Sequence, residues 1–453
     1  MTGPGEDSTI MPDAFVRQMQ DQLGDALTDF LEALKQPVPV SVLLNTAKPG
    51  DPAFAVDGAV PWCDHGRYLH ERPSFTLDPL FHAGAYYVME ASSMLLWSVI
   101  SQLSMDQRQL RVLDLCAAPG GKSLVSLTAL TPDSLLVANE VSARRNRVLQ
   151  YNLAKWGRSN VVTTQLDPAR IQDSGFFDCV LVDAPCSGEG LFRKSPDAIQ
   201  HWSRDHVRHC SGRQQRILSE AARLLRPGGI LIYSTCTYNP DENIRQIAWL
   251  HRTFGMTAIP LDFPVAWGIS EVVGDEVVGY QCFPHRVRGE GFFVSAVRNA
   301  KDAPRFRPAR GKRVRAPARG SDWEPWVDMA NQTVFHPVPG VCRAMSTAAF
   351  EVVQETHLFA RSKAGTLLGR QKGSHFIPDH MLALSTSVQT EVPRLELTLE
   401  QALSYLRRET PDVTCDTPGW ALACYQGRAL GWVKQTPGGM KNQLPMSLRI
   451  RMA

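Results

Sequence analysis

Asp114-Leu-Cys-Ala-Ala-Pro-Gly-Gly-Lys-Ser123 follows a strand-like run, Arg111 to Cys116, and leads into an apolar-periodic stretch from Lys122 to Leu130. A strand that breaks into a glycine-rich turn and re-forms as a helix opens an α/β domain. Such a turn lets a ligand approach the backbone at a helix N-terminus. The alternation continues downstream. Ser134–Glu140, Val161–Asp167, Phe177–Asp183 and Ile230–Cys236 read as strands. Ala143–Trp156, Arg213–Leu225 and Pro240–His251 read as helices between and after them. This pattern predicts a parallel sheet covered by helices on both faces. Phe292–Val297 is expected to add a late, antiparallel strand.

The flanks read differently. Phe15, Met19, Leu23, Leu27 and Leu31 recur at helical spacing and predict one helix over Pro12–Leu34, stopped by Pro37 and Pro39. Val40–Leu44 is a short strand, and residues 48–80 are rich in Pro, Gly and Asp. Tyr86 to Leu103 is expected to be helical. Between Lys301 and Arg319 stand eight Lys/Arg, one acid and three prolines, a basic linker that either contacts phosphates or serves as a solubilising connection. Beyond it, Thr333–Val341 and Leu367–Gly373 suggest strands or turns. Leu397–Arg407 suggests a helix N-capped by Thr398. Trp420–Tyr425 and Ala429–Val433 suggest a hairpin across Gln426-Gly427-Arg428. The expected domains are an α+β unit (1–85), an α/β domain (86–300), a basic linker (301–320) and a strand-rich C-terminal region (321–453).

Composition narrows the class. The 453 residues are 43% hydrophobic and 21% charged, ordinary for a soluble globular protein. No apolar run approaches the roughly 20 residues that span a bilayer. The polar N-terminus lacks a signal-peptide pattern, so a cytoplasmic protein with no membrane partner is expected. Ten cysteines without a C-x-x-C pair argue against a disulfide framework or zinc ribbon. His206, His209 and Cys210 read as a helix surface rather than a metal site, and no metal is expected. A net charge of +3 says little by itself.

The chemistry concentrates at strand ends. A phosphate-binding loop would need glycine where Cys116 stands, and the dinucleotide fingerprint G-x-G-x-x-G is absent. Glu140 lies about 20 residues past the glycines, the place for a carboxylate that grips ribose hydroxyls. Asp167 and Asp183 close the next two strands. Carboxylates in one crevice would repel a pyrophosphate and welcome a cationic nucleoside. S-adenosyl-L-methionine fits, with a ribose, an adenine, a sulfonium and no phosphate. Two thiols fall at the same sheet edge: Cys186 in Asp183-Ala-Pro-Cys-Ser-Gly-Glu-Gly190, and Cys236 in Ser234-Thr-Cys-Thr-Tyr-Asn-Pro240. A thiolate beside a methyl donor has a specific use. Its addition to carbon 6 of a pyrimidine makes carbon 5 nucleophilic, and a second cysteine suits product release. A neighbouring carboxylic acid supports the ring nitrogen.

These motifs, with Arg193-Lys194, Pro196-Asp197 and Leu225-Arg-Pro-Gly-Gly229, resemble the NOL1/NOP2/Sun (RsmB/NOP) family of RNA cytosine-5 methyltransferases. The likeness is greatest to the bacterial 16S rRNA enzymes of F type. Met11-Pro-Asp-Ala-Phe15, Pro61-Trp-Cys63 and Glu90-Ala-Ser-Ser-Met94 extend it upstream. Gly431-Trp-Val-Lys434, Lys441-Asn442 and Pro445 extend it to a PUA-like end. One departure is an apolar residue in Val42-Leu-Leu-Asn-Thr-Ala-Lys48, where the family usually carries arginine.

The resemblance implies a Rossmann-like class I methyltransferase domain between a small α+β N-terminal domain and a PUA-like, strand-rich RNA-binding module. It implies Cys236 as nucleophile, Cys186 as the residue promoting product release, Asp183 facing the base and Lys122 near the catalytic centre. It implies that Cys116, Ala117, Ala118, Pro119, Gly120, Gly121, Lys122, Glu140, Asp167 and Asp183 bind S-adenosyl-L-methionine. The expected partner is RNA, 16S rRNA or the small ribosomal subunit, gripped by Arg193, Lys194, the basic linker and the C-terminal module. The enzyme is expected to act as a monomer. The alternatives are a tRNA cytosine-5 methyltransferase and a non-catalytic RNA-binding assembly factor.

Overall fold

The structure is a computed structural model and describes residues 11–300, 302–309, 323–373, 375–413 and 418–452. The chain forms two compact units. The first holds the described parts of Met1–Pro39, Glu90–Gln102 and Ser174–Phe306. The second holds those of Val40–Met89, Leu103–Asp173 and Arg307–Ala453.

In the first unit, the strands Ser270–Gly274, Val277–Cys282, Phe292–Arg298, Leu225–Thr235 and Phe177–Asp183 lie side by side in that order. Phe177–Asp183 and Leu225–Thr235 are parallel, with Asp183 opposite Ser234. Phe292–Arg298 is the late antiparallel strand expected, and Thr257–Ile259 also pairs with it. The hairpin Ser270–Gly274/Val277–Cys282 was not legible, because its edge strand is short, alternately exposed and closed by a turn at Glu276 (φ 57°). The single N-terminal helix expected is two, Asp13–Leu23 and Leu27–Lys35. Gly24 takes φ 54° and starts a 3₁₀ turn, which changes the phase of the apolar stripe. Phe30 and Leu34 are therefore buried in place of Leu27 and Leu31, and they pack with Phe15, Phe192, Trp202 and Tyr238. The helix expected from Arg213 starts at Arg204 behind the N-cap Ser203. The helix expected from Pro240 starts at Ile244. Residues 239–243 instead form a turn that buries Asn239, Glu242 and Asn243.

In the second unit, Val56–Ala59, Gly66–Leu69, Val40–Leu44 and Tyr86–Val88 form an antiparallel sheet. Tyr86–Val88 was expected to be helical; it pairs instead with residues 42–44. Helix begins only in the segment of the first unit that starts at Glu90, whose carboxylate accepts from Ser92 N at 2.8 Å and Ser93 N at 2.9 Å. The parallel strands Arg111–Asp114, Leu135–Asn139 and Val161–Thr164 alternate with the helices Gly121–Ala129 and Ala143–Trp156. Two of these strands are buried along their whole length, as a sheet covered on both faces requires. Ser362–Ala364 adds an antiparallel edge to Val161–Thr164.

Two further four-stranded sheets follow in that unit. One comprises Gln332–Phe335, Val341–Ser346, Thr366–Lys372 and His375–Pro378. The other comprises Arg394–Glu396, Gly419–Tyr425, Arg428–Thr436 and Gly439–Asn442. Its hairpin turns at Gln426 and Gly427, both at positive φ (49° and 70°). Thr398 caps Leu399–Leu406 in a reciprocal capping box with Gln401. Of the basic stretch, Lys301 and residues 310–322 lie outside the described residues.

Candidate active site

The second unit carries the expected cofactor residues. Asp114, the last residue of its strand, is fully buried, and its Oδ2 accepts from Ser123 Oγ at 2.6 Å. That bond ties the strand end to the helix after the turn. Gly120 caps the helix at φ 119°, a conformation that L side chains rarely adopt, and its added Cβ would meet Leu149 Cδ1 at 3.3 Å. Pro119 O accepts from Asn152 Nδ2 at 2.9 Å, and Ala117 N donates to Asn139 O at 2.8 Å. The turn 115–120 is thus anchored at several points before any ligand enters. Cys116, Gly121 and Lys122 are half-buried; Ala117 and Ala118 are buried; Pro119 is exposed.

Glu140 follows directly on the strand Leu135–Asn139 and is 4% exposed. Its Oε1 accepts from Ser142 N at 2.8 Å, and its Oε2 lies 3.2 Å from Arg145. Asp167 does not close a strand as expected. Its strand ends at Thr164, and Asp167 is an exposed N-cap of a 3₁₀ turn, accepting from Ala169 N at 3.0 Å. Leu166 N already donates to Asn139 Oδ1 instead of a strand partner, and Pro168 takes the first position of the 3₁₀ turn. The sequence reading passed over Asn139. Its Nδ2 donates to Leu115 O at 3.2 Å and Leu166 O at 2.9 Å, and its Oδ1 accepts from Thr164 Oγ1 at 2.8 Å and Leu166 N at 3.0 Å. One buried amide therefore aligns two loops. A lone Asn at a strand end carries no pattern that would have revealed it.

The first unit carries the thiols. Strand pairing brings the ends of Phe177–Asp183 and Leu225–Thr235 together, and Ser234 Oγ donates to Asp183 Oδ1 at 3.0 Å. Cys186 Sγ and Cys236 Sγ lie 3.3 Å apart, both half-buried. The two loops are stitched by Gly190 N donating to Cys236 O at 2.8 Å and by a 3.0 Å bond between Ser187 Oγ and Thr237 Oγ1. The Cys186 thiol is held well above its ordinary range, first by its hydrogen bond with Cys236, then by burial, then by the charges of Cys236 and Glu242.

Two buried acids missed by the sequence reading support these loops. Glu242 Oε2 accepts from Ser187 N and from Gln214 Nε2, each at 2.9 Å, and Gln214 Nε2 also donates to Pro185 O at 3.1 Å. Residues on both sides of Cys186 are thereby fixed. Glu189 accepts from Gln18 Nε2 (3.1 Å), Trp202 Nε1 (3.0 Å) and Tyr238 N (3.0 Å). Burial raises its carboxyl above the ordinary range. Glu189 stood inside a quoted motif and Glu242 read as a helix-start acid; only the turn at 239–243 sends the latter inward.

Arg193 and Lys194, expected on RNA, are spent within the protein. Arg193 donates to Gln36 O, Pro37 O and Gly289 O at 2.8, 2.7 and 3.0 Å. Lys194 pairs with Glu290 at 2.6 Å. His206 and Cys210 are neighbours on their helix, 3.7 Å apart, while His209 is exposed. No group of three or more potential metal ligands occurs among the described residues. None of the described helices is long and apolar enough to cross a membrane.

The strand–glycine turn–helix unit and the alternating parallel strands define a Rossmann-like methyltransferase fold, flanked by an α+β N-terminal sheet and a strand-rich C-terminal region. Residues 101–298 match the 16S rRNA methyltransferase RsmB/F model. Residues 11–91 match the N-terminal domain of 16S rRNA methyltransferase RsmF, and residues 392–450 match the methyltransferase RsmF PUA domain. The chain belongs to the RsmB/F methyltransferase family. It is 30% identical to "Ribosomal RNA small subunit methyltransferase F" of Escherichia coli O139:H28, over 97% of both chains. It is equally similar, at 30% and the same coverage, to the protein of that name from Salmonella heidelberg. Among solved structures, a methyltransferase homolog protein from Pyrococcus horikoshii superposes with a TM-score of 0.54 at 27% identity, covering 64% of this chain and 96% of the other. NSun6 from the same organism, solved with SFG, gives a TM-score of 0.52 at 17% identity, covering 64% and 99%; that likeness concerns the fold.

Proposed function

We propose that this protein is an S-adenosyl-L-methionine-dependent RNA (cytosine-5)-methyltransferase that acts on 16S rRNA in the cytoplasm. The observation that carries the reading is the pair of sulfurs 3.3 Å apart. The hydrogen bond with Cys236, burial and the charges of Cys236 and Glu242 hold the Cys186 thiol up, and the family resemblance gives Cys236 the part of the nucleophile. Cys236 adds to carbon 6 of cytosine, and carbon 5 becomes an enamine carbon. The target base must be splayed from any helix to reach it. Asp183 supports the ring nitrogen as charge develops. The bound cofactor supplies the methyl group to carbon 5. A solvent base takes the carbon 5 proton, the electron pair of that bond re-forms the 5,6 double bond and the Cys236 sulfur departs as thiolate, a step assisted by Cys186. The rRNA substrate, rather than tRNA, is supported by the relatives that share 97% of the chain.

The cofactor would be held by Cys116–Lys122, Glu140, Asp167 and Asp183. The fit rests on the left-handed Gly120 at a helix N-terminus, which leaves the turn without side-chain bulk, and on the strand-end carboxylate of Glu140. Lys122, in the first turn of that helix, would stand near the reacting groups. As functional divisions we propose 1–85, 86–300, the linker 301–320 and 321–453. Two variants test the mechanism. Cys236→Ala is expected to abolish methylation, and Cys186→Ala to accumulate a denaturation-resistant protein–RNA adduct. Full methylation by the Cys236 variant would sink the assignment.

A further inference from the structure

The second unit holds two adjoining cavities away from the turn at 115–122. The first is about 400 Å³ and lies among the helix Ala143–Trp156, the strand Val161–Thr164 and the strands Val341–Ser346 and Thr366–Lys372. Arg158, Arg343, Lys363 and Arg370 line it against a single carboxylate, Asp379. Asp379 is committed to capping a helix through Met381 N at 2.9 Å. The pairing of the two strands shifts register at Cys342/Arg343, a bulge that re-aims the arginine. Arg343 then donates to Ala364 O and Gly365 O, both at 2.7 Å, and to no carboxylate among the described residues. Lys363 Nζ donates to the amide oxygen of Gln150 at 2.8 Å. Arg158 Nη2 is buried with no hydrogen-bond partner among the described residues. Burial lowers both Arg158 and Arg343, and at Arg343 the charge of Asp379 works against it.

The second cavity, about 420 Å³, shares Asp379 and Met381 with the first. Its walls include Tyr151, Trp420 and Trp432, and Ile377 at its edge is 40% exposed. Trp420 is half-buried and carries Lys434 Nζ 5.2 Å from its ring centroid. Four cations around one carboxylate, beside the half-buried rings of Tyr151 and Trp420, match one ligand chemistry. Phosphates take the cations, and unstacked bases take the rings. Duplex RNA shields its bases and offers nothing to the second cavity.

We propose that the two cavities form a track for a short single-stranded RNA segment, a phosphate entering the basic cavity and the adjacent base resting against Trp420 and Tyr151. The proposal rests on the RNA-methyltransferase reading for its ligand class, and it puts substrate grip on residues unrelated to the thiol pair. Lys363 and Arg370 are exposed, so charge reversal there spares the fold.

The test is binding of a labelled single-stranded RNA of about ten nucleotides to the full chain across a salt series. Lys363→Glu/Arg370→Glu is expected to weaken binding at least tenfold and to lower the salt slope by about 2. Trp420→Leu, which keeps apolar packing, is expected to weaken binding roughly tenfold with an unchanged slope. Unaltered affinity in both variants would overturn the proposal. So would an equal loss measured with duplex RNA of the same length, or tighter binding of an acidic peptide. The assay needs no methyl transfer, so it separates from the Cys236 test: failure there removes the chemistry, and failure here removes the track.

Discussion

Replacing Glu242 by glutamine separates the electrostatics of the thiol site from its geometry. Glu242 is buried, and burial pushes its carboxyl from 4.5 up to about 7 against the hydrogen bonds from Ser187. The charge of Glu189 adds to the rise, and Gln214 opposes it. In the unfolded chain the group titrates near its ordinary value. Between 4.5 and about 7 the unfolded state has therefore released a proton that the folded state keeps. Stability falls as pH rises through that window, because the folded state binds more protons. The full gap corresponds to roughly 3 kcal/mol, of which about 2.5 kcal/mol lies between about pH 5 and about pH 8. Glutamine keeps the shape and one oxygen for the Ser187 and Gln214 donors, and it cannot titrate. Any cost in hydrogen bonding is the same at every pH and cancels from the comparison.

The assay is urea unfolding of wild type and Glu242→Gln at both ends of that range. The variant should gain on wild type by about 2–3 kcal/mol from the acid end to the alkaline end. Parallel stability–pH curves would refute the reasoning, since they would mean that the carboxylate is solvated or already compensated. A catalytic readout accompanies it. Glu242 is among the charges holding the Cys186 thiol up. Its neutralisation should move the alkaline limb of the methylation profile to lower pH.

Gly190→Ala places a Cβ 2.6 Å from Cys236 O and 2.9 Å from Gly291 O. The loop bearing Cys236 must shift, and turnover is expected to fall about 100-fold in single-turnover assays with little change in cofactor binding. Glu140→Ala removes the carboxylate proposed to grip the ribose; calorimetry should show S-adenosyl-L-methionine affinity reduced roughly 10- to 100-fold. Unchanged affinity would move the ribose contact elsewhere.

Much of this was open to reading in the sequence. The βα alternation from Arg111 onward placed the glycine turn, Glu140 and both cysteine loops, because buried parallel strands must be short apolar runs and tight turns need glycine. The Thr398 cap and the Gln426-Gly427 hairpin were equally local. Errors arose where a long-range partner overrode a local pattern. Tyr86–Val88 has helical neighbours but finds a strand at 42–44. The N-terminal stripe looked continuous until Gly24 shifted its phase. Asp167 was expected to close its strand and instead caps a turn three residues beyond the strand's end.

What the sequence determined by itself was the class of chemistry: two thiols, strand-end acids and a glycine turn at spacings that a backbone must bring to strand ends. What only the tertiary structure decided was which groups are alone and which are paired. Arg193 and Lys194 look like RNA ligands in the chain and are tied to carbonyls and Glu290 in the fold. Arg158 and Arg343 attract no notice in the chain and line a cavity whose one carboxylate is Asp379. Glu242 becomes a buried acid behind Cys186 because its helix starts later than its sequence suggests. Burial and partner choice depend on residues far apart in the chain, and these set both the protonation of a thiol and the availability of a cation.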